Sequence, residues 1–350
     1  MSALVVSTQM DDFKHYDLII DARCPREFAE DHIPGAVNFP VVNDDEYAEV
    51  GTLHRTDPMG AYKIGVQYSL LNIARHLGES FDAYNRKSRI LVYCFRGGKR
   101  SRLWFDALDV IGYRVERLQG GWKGYRRSVN EQLKSLPGTY RYNVLTGPTG
   151  CGKTRLLTAL RLAGAQVLDL EELAVHRGSV IGAIPGHAQP SQKLFDSFLL
   201  RQLCTYSTER PIWVEAESKK IGNVQLPENL LVAMRAGVTL QVETSMQQRV
   251  KMWREDYAHF ESDPSSLVAK LQFLRPLVGN AEVTAWEELA KQHEIPALFE
   301  RLMRSHYDVA YRRSSLRNYP TLDSSPALTL DDLSPDALFP IAQQLIRQYG

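Results

Sequence analysis

The stretch Leu91-Val92-Tyr93-Cys94-Phe95-Arg96-Gly97-Gly98-Lys99-Arg100-Ser101 decides how the first part of the chain folds. A short apolar run delivers one cysteine into a loop of two glycines and three cations, and a helical pattern begins near Ser101. Successive backbone N–H groups in such a loop, backed by a helix N-terminus, form a concavity for negative charge, and the same field favours a thiolate over a thiol. Burial as a structural residue is the commoner fate of a lone cysteine. Arg96, Lys99 and Arg100 so close to Cys94 argue instead for a reactive one.

With 350 residues, 44% of them apolar and 24% charged, the chain is long enough for two domains with their own cores. Cys24, Cys94, Cys151 and Cys204 are too few and too scattered for a disulfide framework, and none has zinc spacing. A reducing, cytoplasmic setting fits this usage. Neither a signal segment nor a membrane-spanning apolar run is visible, so no membrane partner is expected. The formal net charge of +1 conceals an asymmetry. Residues 1–84 hold 6 Lys+Arg against 14 Asp+Glu, whereas residues 85–134 hold 13 against 4. A polyanion or phosphate-bearing substrate would be drawn towards the cysteine loop, although a solvated basic face accounts for the charge equally well.

Upstream, Asp17 to Cys24 reads as a buried strand ending in the pair Asp21 and Arg23; Pro25 to Asp31 reads as a helix, and His32-Ile33-Pro34-Gly35-Ala36 as a turn. The order D-x-R-x-x-x-E-F-x-x-x-H-I-P-G-A-x-N, then V-Y-C-x-x-G-G-x-R-S, then Leu118-x-Gly120-Gly121-Trp122, resembles the rhodanese domain over roughly residues 5–130. The resemblance implies a small α/β fold with Cys94 as its active cysteine and Asp21 and Arg23 as a structural pair. One departure widens the cradle: many single-domain rhodaneses carry C-x4-R-S, whereas this loop is C-x5-R-S. Arg96, Gly97, Gly98, Lys99 and Arg100 would then surround a tetrahedral oxyanion. A cysteine phosphatase of the same fold stays open as an alternative, although Tyr93 stands where the related cell-cycle phosphatases carry His.

Residues 135–140, containing Pro137-Gly138, read as a linker. A strand over Tyr140 to Thr146 then runs into Gly147-Pro148-Thr149-Gly150-Cys151-Gly152-Lys153-Thr154, followed by a helical pattern. In this G-x-x-x-x-G-K-T loop the amides around Gly147, Gly150 and Gly152 can wrap a diphosphate. Lys153 can neutralise its terminal phosphate and the Thr154 hydroxyl can bind magnesium. Cys151 reads as a tolerated small residue. Asp169, with Glu171 and Glu172, follows the strand Ala165 to Leu170, and Glu215 ends the strand Pro211 to Glu215; Asp169 and Glu215 are the candidate acids for a metal or water, and Glu217 a weaker one. Residues 176–190 are Gly-rich enough to serve as a lid, and Lys193 to Glu209 reads as an amphipathic helix on the sheet. The expected fold is α/β: a rhodanese-like domain over 1–134, a parallel-sheet P-loop domain over 141–245, and a helical C-terminal extension over 246–350. In that extension basic residues interleave with Tyr307 and Tyr311, a mixture suited to an unpaired RNA segment. Arg249, Lys251, Arg254, Arg312 and Arg313 are the candidate contacts, with Arg301, Arg304 and Arg317 nearby, although residues 140–350 are balanced at 23 Lys+Arg to 23 Asp+Glu.

The fusion of the two halves, with V-Y-C-F-R-G-G-K-R-S, G-P-T-G-C-G-K-T and E-E-L-A-x-H-R-G-S in this order, resembles the bacterial tRNA 2-selenouridine synthase family. The resemblance implies a cytoplasmic enzyme that replaces sulfur by selenium in the wobble 2-thiouridine of tRNA. Its substrates would be selenophosphate and geranyl diphosphate, the latter geranylating that sulfur. Magnesium is an expected cofactor, and no tightly bound organic one is. Two other classes stay open: a rhodanese-fold phosphatase or sulfurtransferase fused to a P-loop regulatory or kinase-like domain, and a non-catalytic sulfur-sensing RNA-binding module.

Overall fold

Continuous apolar runs, rather than alternating ones, make strands that are covered on both faces. In the computed structural model, which describes residues 4–5, 10–319 and 322–350, such runs form two parallel sheets. The chain divides into two units: residues up to 134 together with 190–205, and residues 135–189 together with 206–350.

The first unit holds strands β1 (Leu4–Val5), β2 (Leu18–Asp21), β3 (Val37–Asn38), β4 (Arg89–Tyr93) and β5 (Arg114–Leu118) in the order β1-β5-β4-β2-β3. Every pairing is parallel. Ile90 to Tyr93 are inaccessible to solvent, so β4 delivers Cys94 from the middle of the sheet. The helix Lys99–Ile111 begins two residues earlier than expected, lays Trp104, Phe105 and Leu108 on the sheet, and stops at Gly112 in a left-handed conformation. Asp21 and Arg23 are fully buried and joined by 3.0 and 2.5 Å contacts, and Arg23 also donates to the Asp31 carbonyl at 2.6 Å.

The helix Gln192–Leu203 departs from expectation. It belongs to this first unit and not to the P-loop sheet. Ser197 donates to the buried Asp31 carboxylate at 2.8 Å, Lys193 pairs with Glu30 at 2.5 Å, and Arg126 pairs with Asp196. The apolar periodicity set the helix, but nothing in it named the surface the helix would cover.

In the second unit the strands are β6 (Tyr142–Thr146), β7 (Gln166–Leu168), β8 (Ile212–Glu215), the hairpin β9 (Lys220–Ile221) and β10 (Val224–Gln225), β11 (Val238–Glu243) and β12 (Ala327–Thr329). Apart from the hairpin they form one parallel sheet, β12-β11-β6-β8-β7, with the phosphate-loop strand β6 at its centre. The helices Lys153–Leu162 and Pro335–Tyr349 share one core with the sheet, containing Leu156, Leu160, Trp213 and Leu338. A separate helical core gathers Trp253, Trp286, Phe299 and Leu302. Two expectations change here. The 135–140 segment is no loose linker, since Leu136–Thr139 is a 3-10 turn with Pro137 buried and its carbonyl bonded by the Tyr142 hydroxyl. The C-terminal extension is not purely helical either, because β12 adds a strand to the sheet. Three residues after a proline carry too little pattern to be read as a strand.

Removing one member of a buried ion pair leaves the other charge without compensation, at a cost of about 3–5 kcal/mol. Asp21→Ala is therefore expected to lower the stability of the first unit by that amount, read as an earlier midpoint in urea denaturation followed by tryptophan fluorescence.

Candidate functional site: the cysteine loop and the phosphate-loop cavity

The Cys94 loop is held by the helix that follows β5. Gly121, at φ +55°, lies so close that a Cβ there would come within 2.1 Å of the Cys94 carbonyl, so only glycine fits. The N–H groups of Trp122 and Lys123 donate to the carbonyls of Cys94 and Phe95 at 2.9 and 3.0 Å. The Trp122 ring stacks on Phe95, and its indole N–H donates to Asp31 at 2.8 Å. Cys94 is 3% exposed; its Sγ accepts from the Gly98 N–H at 3.2 Å and donates to the Ser101 hydroxyl at 3.3 Å. The loop's cations are not equivalent. Arg100, expected to grip an oxyanion, is paired in a forked contact with Glu27 at 2.6 and 3.3 Å. Burial alone would raise the Glu27 carboxyl, but Arg100 outweighs it and holds that group below the usual range. Lys99 lies 3.6 Å from the centre of the Tyr62 ring, and Arg96 is exposed over Phe95 with no acidic partner among the described residues. Arg96 is thus the cation most available to an incoming anion.

In the phosphate loop, Gly147 adopts φ +144° and a Cβ there would sit 2.3 Å from the Val242 carbonyl, which again requires glycine. The Lys153 ammonium donates to the carbonyls of Gly147 and Pro148 at 2.9 and 3.2 Å. Cys151 is buried beneath the loop, and burial pushes its thiol up, in keeping with a packing role. Arg249 braces the loop from outside. It donates to the Thr149 carbonyl at 2.9 Å and forms a two-point pair with Asp308 at 3.0 and 2.5 Å.

The loop opens into a cavity of about 420 Å³. Its wall is charged in part: Lys153 and Thr154 share it with Glu171, Glu215 and Glu217, each from a segment at the carboxyl edge of the sheet. Met252, Trp253, Tyr257, Tyr307, Tyr311 and Tyr319 line the same cavity, with Trp253 against Gly150 of the phosphate loop. Burial would lower the Lys153 amine, but Cys151, Glu215, Tyr311 and Glu217 offset it and hold the amine above the ordinary lysine range. Burial first, then neighbouring carboxylates, push Glu171 well above the usual range and Glu217 to about 8. Burial likewise raises Glu215, against the opposing pull of Lys153 and Thr154. Among the described residues the Glu215 Oε1 is buried without a hydrogen-bond partner, and a Cβ at Gly178 would come within 2.5 Å of the Glu171 Oε1 and 3.4 Å of both Glu217 oxygens, so the two carboxylates crowd that glycine.

Of the candidate acids, Glu215 lines the cavity and Asp169 does not. Asp169 caps the helix Leu170–Ala174, accepting the Glu172 N–H at 2.9 Å. Glu171 takes the place expected of it, and Glu217 stands beside it. Both were named from the sequence, Glu171 beside Asp169 and Glu217 as the weaker acid two residues beyond Glu215. The RNA candidates also separate. Arg249 is buried and spent on the loop and Asp308, so it is a brace and not a surface contact. Lys251 and Arg254 line a shallow groove with Gln247 and Val250, where Arg254 is paired with Glu261. Arg312 and Arg313 are exposed on the helix Asp308–Asn318. Among the described residues no helix is long and apolar enough to cross a membrane.

The raised carboxyls make stability depend on pH. Folded Glu217 keeps its proton up to about pH 8, whereas an unfolded glutamate loses it near 4.5. The folded state therefore binds more protons across that window, and stability falls as pH rises through it. Glu217→Gln is expected to flatten this fall, so the difference between melting temperatures at pH 6 and pH 9 should be smaller for the variant than for the unaltered chain in scanning calorimetry.

Residues 5–128 match the rhodanese-like domain family, and residues 140–273 match the family described as the tRNA 2-selenouridine synthase AAA domain. Three proteins named tRNA 2-selenouridine synthase are similar to the chain. That of Nitrosomonas europaea is 35% identical over 68% of this chain and 63% of its own length. Those of Bdellovibrio bacteriovorus and Hydrogenovibrio crunogenus are 33% and 34% identical, over 72% and 71% of this chain and 67% and 71% of their own lengths. The chain thus spans between 63% and 71% of the length of these relatives. With a rhodanese-type cysteine loop, a braced phosphate loop and this similarity across both halves, the chain belongs to the tRNA 2-selenouridine synthase family.

Proposed function

We propose that the chain converts wobble 2-thiouridine in tRNA to 2-selenouridine, by S-geranylation at the phosphate-loop cavity followed by exchange with selenide released at Cys94. The observation that carries this reading is the mixed charged and apolar lining of the one cavity at the phosphate loop. Lys153 and the phosphate-loop amides suit a diphosphate, while Met252 and Trp253 suit the hydrocarbon attached to it.

In the first step the allylic C–O bond of geranyl diphosphate breaks, a C–S bond forms at the thiouridine sulfur, the base loses its N3 proton, and diphosphate departs. Lys153 neutralises the charge that develops on the leaving group, and Arg249 keeps the loop in the shape that places Lys153 there. The unpartnered Glu215 oxygen beside Thr154 suits a cation, and magnesium held by these two residues would supply further neutralisation of a bound diphosphate. No nucleotide hydrolysis is needed.

In the second step selenide adds at C2 and geranylthiol leaves, a better leaving group than bare sulfide. Selenophosphate already carries selenium at the selenide level, so a perselenide on Cys94 would need an oxidant. A redox-neutral role fits: the Cys94 sulfur attacks phosphorus, an S–P bond forms, the P–Se bond breaks and selenide is freed; water then hydrolyses the phosphocysteine. Exposed Arg96 suits the phosphate oxygens, while the Gly98 N–H is donated to the attacking sulfur.

Nucleoside analysis of 2-thiouridine-containing tRNA, with geranyl diphosphate and selenophosphate each omitted in turn, tests the scheme. Lys153→Ala is expected to lower geranylation on the order of 10²–10³-fold, the effect of losing one preorganised electrostatic group. Cys94→Ser should geranylate normally yet incorporate no selenium. Normal geranylation by Lys153→Ala overturns the assignment of the cavity, and selenium without phosphate on Cys94 in a rapidly quenched reaction overturns the role of the thiol.

A further inference from the structure

Ion pairing sorts the basic residues of the C-terminal region in a way that sequence cannot. Arg249 is held by Asp308, Arg254 by Glu261, Arg275 by Glu287, Arg301 by Glu282 and Arg304 by Glu300. Arg312, Arg313 and Arg317 are exposed and have no acidic partner among the described residues. All three belong to the helix Asp308–Asn318, whose other face lines the cavity through Ala310, Tyr311, Ser314 and Asn318. At about 100° per residue, the cavity residues occupy an arc of about 100° and the three arginines an adjoining arc of about 140°.

A second observation points inwards from the same helix. Among the described residues the Tyr307 hydroxyl is buried and without a partner, as are the Tyr311 hydroxyl and the Arg177 Nη1, and all three residues line the cavity. Tyr307 is 8% exposed and closes a π-helical turn, Met303–Tyr307, immediately before this helix. Hydrogen-bonding groups left unsatisfied beside the rings of Trp253 and Tyr257 suit a flat ligand with several acceptors. Single-stranded RNA is recognised by this pairing: guanidinium groups on its phosphates, and aromatic surfaces for bases turned out of the stack.

We propose that the outward face of the 308–318 helix docks the single-stranded loop of the RNA substrate, with Arg312, Arg313 and Arg317 on its phosphates, while Tyr307 and Tyr311 on the cavity wall receive the unstacked base. This rests on the RNA-substrate reading above and adds to it the surface and the direction of approach. With Arg249, Arg254, Arg301 and Arg304 held in ion pairs, the three arginines of this short helix concentrate unpaired positive charge on one face.

The test is binding of an anticodon stem-loop RNA to the full chain, by fluorescence anisotropy across a potassium chloride series. The triple variant Arg312→Gln, Arg313→Gln, Arg317→Gln is compared with Arg275→Gln, Arg301→Gln, Arg304→Gln, which removes the same charge from paired positions. Three phosphate contacts at about 0.7 each should make the log–log salt slope shallower by about 2 in the first variant. The second should keep the slope of the unaltered chain. Equal slopes in the two variants overturn the docking face, whereas failure of the unaltered chain to bind RNA at all overturns the RNA reading itself. For the inserted base, an RNA made abasic at the thiouridine position should bind the unaltered chain about tenfold more weakly than the intact RNA, within the range of one base stacked on an aromatic. Tyr311→Ala should abolish that discrimination; its persistence in the variant overturns base insertion beside Tyr311.

Discussion

A buried ammonium survives only where its protons find acceptors and its charge finds compensation. Lys153 meets both conditions. Its protons go to the Gly147 and Pro148 carbonyls, and its charge faces Glu171, Glu215 and Glu217. Much of the second unit follows from this one group. The loop must curl tightly enough to present two carbonyls inward, so Gly147 cannot carry a side chain. Arg249, itself fixed by Asp308, holds the Thr149 carbonyl on the outer side of the same curl. The carboxyls meanwhile outnumber the single amine and retain protons that free glutamates would release, which leaves the cavity a store of exchangeable charge ready for an anionic ligand.

The two halves solve the same problem with the same part. In each, a central strand of a parallel sheet, buried throughout in β6 and from Ile90 onward in β4, ends in a glycine-containing loop that leads into a helix, β4 to the helix at Lys99 and β6 to the helix at Lys153. Parallel sheets put such loops at the carboxyl edge, where ligands of open α/β folds bind. What differs is the use of charge. The cysteine loop neutralises its nearest arginine internally through Glu27 and leaves Arg96 at the surface, whereas the phosphate loop buries its lysine among acids.

Both loops were legible in the sequence because their requirements are local. A tight turn needs glycine at particular places, a nucleophile needs its cations near, and each shows within a dozen residues. Asp21 and Arg23 were legible for the same reason. What escaped was whatever depends on a partner distant in the chain. Asp169 and Glu171 stand two residues apart at the end of one strand, yet one caps a helix and the other faces Lys153, a choice made by the turn after β7. Arg249 looks like any surface arginine until Asp308, some sixty residues on, claims it. β12 escaped because its stability comes from β11 rather than from its own three residues.

The placement of the helix Gln192–Leu203 with the first unit has a consequence for how this protein is put together. The backbone leaves the N-terminal half at residue 134, returns to it for residues 190–205, and leaves again. The halves are therefore interlaced along the chain rather than threaded one after the other. A gene exchange that swapped the rhodanese-like part at the first crossing would strip Asp31 of Ser197 and Arg126 of Asp196, uncovering a buried carboxylate that also holds Trp122 over the cysteine loop. Inheritance of the two parts as a single block is thus written into the path of the backbone itself.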